Sequence, residues 1–147
     1  MLIRQSIPTD REALLDIWLR SVRATHTFLT EADIESLLPA VRDYLWISNP
    51  DLWTLCSDQS EPIGFMGLAD DNVESLFVAP ERIRGGGGRL LLEHARRLKG
   101  SLRVDVNEQN PEAVKFYEAN GFQVVGRSSV DDGGRPFPLL HLREVVK

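Results

Sequence analysis

The sequence predicts a single mixed α/β (α+β) domain of seven strands and four helices, on three observations. A chain of 147 residues, 42% hydrophobic and 27% charged, has the length and composition of one ordinary globular domain. Short apolar segments typical of strands alternate with longer segments in which apolar residues recur at helical spacing. Gly, Pro, Asn and Asp mark the breaks between these segments. The predicted domain covers residues 1–147.

The N-terminal third is predicted to form one strand and two helices. The strand is Leu2–Ser6. Thr9 is placed to cap the first helix, with Glu12 at the third helical position. The second helix begins at Thr30, with Asp33 in the equivalent place. The apolar faces expected to be buried are Leu14, Leu15, Ile17, Trp18 and Val22 in the first helix, and Ile34, Leu37, Leu38, Val41 and Leu45 in the second.

The rest of the chain alternates between strands and helices. An antiparallel meander is predicted at Trp53–Cys56, Ile63–Leu68 and Val73–Val78. A helix through Leu90 to Leu98 then ends at Gly100, and a strand follows at Leu102–Val106. Asn110 and Pro111 begin the last helix, which Asn120 and Gly121 end. Two final strands, at about Phe122–Ser129 and Phe137–Arg143, flank a turn at Asp131–Gly134.

Composition excludes several classes of protein. The net charge of −5 argues against a nucleic-acid partner, since such surfaces carry a basic excess. No apolar stretch approaches the roughly 20 residues that span a bilayer, and Met1–Ser6 does not read as a signal peptide. Cys56 is the only cysteine, so no internal disulfide is possible, and we interpret it as a small buried hydrophobe. A cytoplasmic protein that binds no metal is expected.

A glycine run between a strand and a helix is a candidate anion site. Gly85–Gly88 lie between Arg84 and Arg89, where backbone N–H groups at a helix start lack intrahelical acceptors. A nucleotide P-loop needs Lys and Ser or Thr after the last glycine, whereas Arg89 and Leu90 follow here. A Rossmann turn opens the first βαβ unit, whereas this loop follows four predicted strands. A diphosphate ligand of another kind is therefore favoured.

A second group of candidate residues lies between Asn107 and Phe122. Asn107 ends a predicted strand, and Asn110 caps the following helix. Ala113, Phe116 and Tyr117 lie about one turn apart on one face of that helix. A core position is the alternative interpretation of Phe116 and Tyr117, and capping alone is the alternative interpretation of Asn110. Both interpretations are open at this stage.

On the glycine loop, the helix after it and the segment from Asn107 to Phe122, the chain resembles the GNAT superfamily of acyl-CoA-dependent N-acetyltransferases. Ser21–His26, Val130–Gly133 and Pro136–Leu140 are similar to the small bacterial YjaB-like acetyltransferases. The resemblance spans essentially the whole chain. It implies a central, mostly antiparallel seven-stranded sheet flanked by about four helices. It also implies acetyl-CoA as co-substrate and a primary amine, of a small molecule or a protein, as acceptor.

The resemblance implies where acetyl-CoA binds. The family's loop usually begins with Gln or Arg and carries Gly at its fourth position and Gly or Ala at its sixth. The phase of the following helix places this pattern on Ile83–Gly88, with Ile83 at the usual Gln or Arg position; a register beginning at Arg82 is the alternative. The expected CoA-binding residues are Leu76, Phe77, Val78, Ile83, Arg84, Gly85, Gly86, Gly87, Gly88, Arg89, Asn107, Asn110, Ala113 and Phe116.

Acetyl transfer requires a polarised carbonyl, a neutral amine and a proton donor for the departing thiolate. A backbone N–H of the strand Leu76–Val78 is the expected donor to the carbonyl. Tyr117 is the expected donor to the thiolate, a role that the resemblance also implies, and a phenol is protonated at neutral pH. Glu74 and His26 are the candidate general bases. The expected acceptor pocket comprises Trp18, Thr25, His26, Phe28, Asp131 and Asp132.

Two other functions are compatible with the sequence. Because Ile83 stands where the family usually has Gln or Arg, a catalytically silent sensor that binds acyl-CoA is one alternative. Because a glycine loop alone also suits other phosphate ligands, a regulator that binds a nucleotide is the other. His94 and His141 are interpreted as structural. The protein is expected to be a monomer or a homodimer.

Overall fold

A computed structural model of the protein describes residues 1–47 and 49–145. It confirms the predicted order of seven strands and four helices. The N-terminal elements are β1 (Leu2–Gln5), α1 (Arg11–Thr25) and α2 (Glu31–Trp46), followed by the meander β2 (Leu52–Cys56), β3 (Pro62–Ala69) and β4 (Asn72–Val78). The C-terminal elements are α3 (Gly87–Lys99), β5 (Arg103–Asn107), α4 (Pro111–Ala119), β6 (Phe122–Ser128) and β7 (Leu139–Glu144).

The seven strands form one mixed, mostly antiparallel sheet in the order β1-β2-β3-β4-β5-β7-β6. Every neighbouring pair is antiparallel except β4 and β5, which are parallel. Within the described residues, β4 and β5 pair only at Asn72–Arg103 and Val73–Val104. The two strands therefore diverge from Glu74 onward and leave an opening in the middle of the sheet.

Two hydrophobic cores lie on opposite faces of the sheet. Phe65 packs in the core under α1 and α2, whereas the next residue, Met66, packs in the core under α3 and α4. Successive strand residues point to opposite faces, so the two helix pairs cover the sheet from two sides. Leu91, Leu92 and Ala95 are fully buried, as the phase of α3 predicted. Among the described residues, no helix combines the length and apolar character needed to cross a membrane.

Several helix boundaries follow from local chemistry, as predicted. The Thr30 hydroxyl accepts a hydrogen bond from the Asp33 amide at 3.1 Å, and the Asp33 carboxylate accepts one from the Thr30 amide at 2.9 Å. Asn110 caps α4, and Gly100 follows α3 with a φ of 79°. The prediction for β7 began two residues too early, since Pro138, which has no N–H to donate to a ladder, immediately precedes the strand.

The prediction that Thr9 caps the first helix is wrong. Helix α1 begins at Arg11, and Asp10 stands at its N-cap without a side-chain capping bond. The Asp10 carboxylate, only 4% exposed, instead accepts hydrogen bonds from the Arg4 guanidinium at 2.7 and 2.9 Å. It also accepts from the Ile7 amide at 2.9 Å and the Thr54 hydroxyl at 3.2 Å. The contact of Asp10 with Thr54, 44 residues away along the chain, thus competes with capping of α1 by nearby residues.

We expect Asp10→Asn to lower the free energy of unfolding by about 2–3 kcal/mol at pH 7, because it breaks a buried ion pair. Burial raises the pKa of Asp10, but its hydrogen bonds and the charge of Arg4 outweigh burial and leave the pKa below its ordinary value. The ionised carboxylate therefore stabilises the fold above about pH 4, and this stabilisation is lost as the pH falls through the folded-state pKa. Urea titrations at several pH values measure both effects.

The matched control is Asp16→Asn. The Asp16 carboxylate is 60% exposed and pairs with Arg20 one turn later, so its loss should change stability by less than about 1 kcal/mol. Equal effects of the two substitutions would contradict a special role for Asp10.

Candidate active site

The divergence of β4 and β5 opens a cleft of about 470 Å³. The end of α1, β4 beyond Asn72, β5, the loop before α3 and the inner face of α4 line it. A second cavity of about 330 Å³, which we call the acidic cavity, adjoins the cleft on the side of the β6–β7 loop. The two share Val73, Glu74 and Asp105, which places their junction where the strands begin to separate.

The glycine run forms the start of α3 at one end of the cleft. Gly86 has a φ of 84°, in the left-handed region that favours glycine, and α3 begins at Gly87. A Cβ on Gly88 would lie 2.9 Å from the Phe116 ring, and one on Gly87 would lie 2.6 Å from the Leu55 side chain. Gly86 and Gly88 are the two glycines of the register that begins at Ile83, so the backbone supports that register.

Unpartnered amides make this loop a fit for a diphosphate. The amides of Arg84, Gly86, Gly87, Gly88 and Arg89 donate to no acceptor among residues 1–47 and 49–145. They lie at the N-terminus of a 13-residue helix, whose dipole adds partial positive charge. Arg84 lines the cleft and adds a full charge. Arg89 lines neither cavity, and its side chain is 73% exposed and pairs with Glu93, so only its backbone amide remains a predicted ligand contact.

This difference between two neighbouring arginines is testable. We expect Arg84→Gln to weaken CoA binding about fivefold, because it removes a charge facing the diphosphate site. Arg89→Gln, the matched control in the first turn of α3, should change the dissociation constant by less than about twofold. Titration calorimetry with CoA measures both. A larger loss in Arg89→Gln than in Arg84→Gln would contradict the assignment.

The central part of the cleft presents backbone and amide groups suited to an extended chain. Leu76, Phe77 and Val78 line it. The N–H groups of a strand alternate between its two sides, so those on the side away from β3 face the opening. The Asn107 side-chain oxygen is buried without a hydrogen-bond partner in the described part of the chain, and Asn107 lines the cleft. These groups fit the amides of a pantetheine arm.

The remaining predicted CoA contacts have mixed roles. Ala113 and Phe116 line the cleft from α4. Asn110 also lines it, but its side-chain oxygen accepts from the Ala113 amide at 3.3 Å, which confirms the capping interpretation. Ile83 lines the cleft with a 51% exposed side chain that has no hydrogen-bonding group.

Tyr117 lies at the inner wall of the cleft. Its ring packs edge-on against Phe116 and Phe122, with centroids 5.1 and 5.3 Å away. The residue is only 7% exposed, and burial raises the pKa of its phenol well above the ordinary value. The hydroxyl therefore stays protonated over the whole working pH range and is able to donate a hydrogen bond into the cleft.

His26 lies at the C-terminal end of α1, on the opposite side of the same cleft. Its ring packs against Phe28 and Phe77, with centroid distances of 5.5 and 6.4 Å. Burial lowers the pKa of the imidazole, so the neutral form predominates at pH 7. A neutral imidazole facing the cleft is able to accept a proton.

Four carboxylates surround the acidic cavity: Glu74, Asp105, Asp131 and Asp132. Asp131 shapes the β6–β7 loop, because its carboxylate accepts hydrogen bonds from the Gly133 and Arg135 amides at 3.0 and 2.8 Å. Asp132 is exposed and lines the cavity. Glu74 lines both cavities and is exposed, so it lies at their junction.

Asp105 is a site residue that the sequence pattern did not indicate. It lines both cavities and accepts a hydrogen bond from His141 at 2.6 Å, while the other nitrogen of that ring lies 2.7 Å from the Ser128 hydroxyl. Its position between the buried residues Val104 and Val106 predicts only that its side chain points to the other face of β5, whereas its partner His141 comes from β7. Strand order, which the local pattern does not reveal, brings them together.

Two predicted acceptor-pocket residues lie elsewhere. Trp18 is 6% exposed within the core between α1, α2 and the sheet and lines neither cavity, which corrects the prediction. Phe28 also lines neither; its ring packs against those of His26 and Phe137, with centroid distances of 5.5 and 5.8 Å. Thr25 and His26 do line the cleft. His94 packs on Trp53 at 4.4 Å, away from both cavities, in agreement with a structural role.

Comparison with known proteins agrees with this geometry. Residues 49–124 match the family described as acetyltransferase (GNAT) domain. The peptidyl-lysine N-acetyltransferase YjaB of Salmonella typhimurium is 48% identical over 141 residues, which are 95% of each chain. The solution structure of apo-form YjaB from Escherichia coli superposes with a TM-score of 0.92 at 43% identity, covering 99% of this chain and 98% of that one.

The fold extends to more distant proteins. The PaiA N-acetyltransferase of Thermoplasma acidophilum, solved in complex with coenzyme A, has a TM-score of 0.78 at 24% identity, covering 99% of this chain and 98% of that one. At that identity the likeness concerns the fold alone. The match over residues 49–124 and the similarity to YjaB along nearly the whole chain are decisive. The chain therefore belongs to the GNAT family of acetyl-CoA-dependent N-acetyltransferases, in its YjaB-like subgroup.

Proposed function

We propose that residues 1–147 form one acetyltransferase domain that acetylates the ε-amine of lysine in proteins, by direct attack in a ternary complex with acetyl-CoA. The observation that carries this proposal is the junction of the cleft with the acidic cavity at Glu74 and Asp105. An ammonium group entering through the acidic cavity meets carboxylates before it reaches the cleft. Residues from Ser21 to Leu139 line the two cavities, which supports one functional unit.

The relatives support a protein acceptor. The similar proteins from Salmonella typhimurium and Escherichia coli both carry the name peptidyl-lysine N-acetyltransferase, at 48% and 44% identity. The acidic cavity is compatible with a cationic side chain, because Glu74, Asp105, Asp131 and Asp132 line it and Arg135 is the one cation among its described lining residues. Its opening toward solvent gives a peptide backbone room to remain outside while the lysine side chain enters.

Roles for individual residues follow from their positions. Acetyl-CoA, when bound, supplies an activated thioester carbonyl. The amides of residues 84 and 86–89 hold its diphosphate, and Asn107 orients the pantetheine arm. A backbone N–H of Leu76–Val78 donates to the carbonyl oxygen. The Tyr117 hydroxyl donates to the sulfur as the C–S bond breaks.

Lysine as an acceptor needs a base. Its ordinary pKa of ~10.4 means that reaching the neutral form at pH 7 costs about 4.6 kcal/mol. His26 is neutral at that pH because burial lowers the pKa of its ring, and it lines the cleft opposite Tyr117. We assign His26 as the general base and Glu74 as the carboxylate that receives the ammonium at the junction.

Acetyl transfer to a panel of matched acceptors tests the acceptor class. One peptide carries a lysine and a blocked N-terminus; its partner carries arginine at that position and a free N-terminus; free lysine and a polyamine complete the panel. Release of CoA thiol and the mass of each product are measured. We expect the lysine peptide to be acetylated most efficiently, with the added mass on its side chain.

Preferential turnover of the arginine peptide would contradict lysine specificity in favour of an N-terminal amine. Efficient turnover of the free amines alone would assign a small-molecule acceptor. CoA binding without turnover of any acceptor would favour the sensor function instead.

A further inference from the structure

A series of hydrogen bonds connects the end of α1 to β4 and to His26. The Ser21 hydroxyl, on a residue only 4% exposed, donates to the Val78 carbonyl at 3.0 Å. The Thr25 hydroxyl donates to the Ser21 carbonyl at 2.8 Å. The same Thr25 oxygen lies 2.8 Å from Nδ1 of His26. The last turn of α1 is thereby tied to the strand that lines the cleft.

The protons available to these hydrogen bonds indicate one tautomer of His26. A carbonyl oxygen only accepts, so the single hydroxyl proton of Thr25 is used on the Ser21 carbonyl. The Thr25 oxygen must then accept in its contact with His26, and Nδ1 must carry a proton. In the neutral ring the lone pair is therefore on Nε2.

The groups around the His26 ring favour its neutral form and one of its two tautomers. The rings of Phe28 and Phe77 both pack against it. The other titratable or charged side chains lining the cleft are Glu74, Arg84, Asp105, Glu112 and Tyr117. Thr25 is the one side chain in the described part of the chain that bonds to the imidazole, so it decides which nitrogen is free.

We propose that Thr25 is a positioning residue that holds His26 in the Nδ1–H tautomer and so leaves Nε2 as the proton acceptor for the reaction. In the step, the amine nitrogen forms its bond to the carbonyl carbon, the C–S bond breaks and the departing sulfur takes a proton from Tyr117, and one N–H bond of the amine breaks. The proton goes to Nε2, and Nδ1–H of the resulting imidazolium still donates to Thr25. This proposal rests on the assignment of His26 as general base in the proposed function.

Nitrogen-15 NMR of the histidine rings tests the tautomer directly, without any substrate. We expect the wild-type His26 spectrum above pH 7 to show the Nδ1–H form. Thr25→Val removes the hydroxyl at similar volume and should shift the population toward the other tautomer, while Thr25→Ser should restore Nδ1–H. The matched control is Thr27→Val, since Thr27 is exposed, two residues away and lines neither cavity.

Kinetics on the lysine peptide supply the second readout. We expect Thr25→Val to lower kcat about tenfold, Thr25→Ser to retain kcat within about threefold, and Thr27→Val to match the wild type. An Nε2–H spectrum in the wild type, or an unchanged spectrum in Thr25→Val, would overturn the assignment. So would a shifted tautomer with unchanged kcat. If the wild type turned over no lysine peptide, the proposed acceptor would fail, while the spectrum would still decide the role of Thr25.

Discussion

Replacing Tyr117 by Phe is expected to lower kcat about 10²–10³-fold while changing the dissociation constant of CoA by less than about threefold. The hydroxyl is the only group removed, and the ring keeps its edge-on packing against Phe116 and Phe122. Burial holds the pKa of the phenol above its ordinary value, so the wild-type group is a donor at every working pH. Its loss leaves the departing thiolate without that donor. Steady-state kinetics on the lysine peptide and calorimetry with CoA measure the two quantities.

The chain offers a matched control in Tyr44, its only other tyrosine. The Tyr44 hydroxyl lies 3.0 Å from the Ser75 hydroxyl, and burial raises its pKa to about 12, but Tyr44 lines neither cavity. Tyr44→Phe should therefore lower stability by about 1 kcal/mol and leave kcat nearly unchanged. Equal kcat values for the wild type and Tyr117→Phe would remove Tyr117 from the mechanism. Loss of CoA binding in Tyr117→Phe would make its role one of binding.

Replacing His26 by Gln is expected to lower kcat about 10²-fold and to remove one limb of the pH profile. Burial lowers the pKa of the wild-type imidazole below its ordinary value of about 6.5. A base acts in its deprotonated form, so wild-type kcat should rise with pH through a value below 6.5 and level off above it. Glutamine does not titrate, so the variant should lack this rise.

His94→Gln is the control, because His94 packs on Trp53 and lines neither cavity. It should keep the wild-type profile, once thermal unfolding has verified that the variant is folded at the assay temperature. Persistence of the acidic limb in His26→Gln would contradict the assignment and would transfer the role of base to Glu74. Glu74→Gln measured in the same way would then show which carboxylate is responsible.

Much of the fold was predictable because its boundaries are decided within a few residues. The reciprocal bonds of Thr30 and Asp33, the Asn110 cap and the glycine after α3 each satisfy backbone groups locally, and each was predicted. Thr9 was predicted wrongly because the neighbouring Asp10 is bound by Arg4 and by Thr54 from another strand. Trp18 belongs to the periodic apolar face of α1, and periodicity does not distinguish a core residue from a pocket residue.

The sequence alone determined the chemistry available at the site: glycines whose amides are free at a helix start, a tyrosine and two asparagines on the next strand and helix, and a histidine after α1. Tertiary structure decided which of these groups meet. It placed Arg84 at the cleft and left the Arg89 side chain exposed. It also brought Asp105 of β5 into contact with His141 of the neighbouring strand β7. The physical reason is one of distance along the chain. The hydrogen bonds of backbone amides at a helix end are decided by residues close in sequence. The point at which β4 and β5 stop pairing depends on contacts between residues about 30 positions apart.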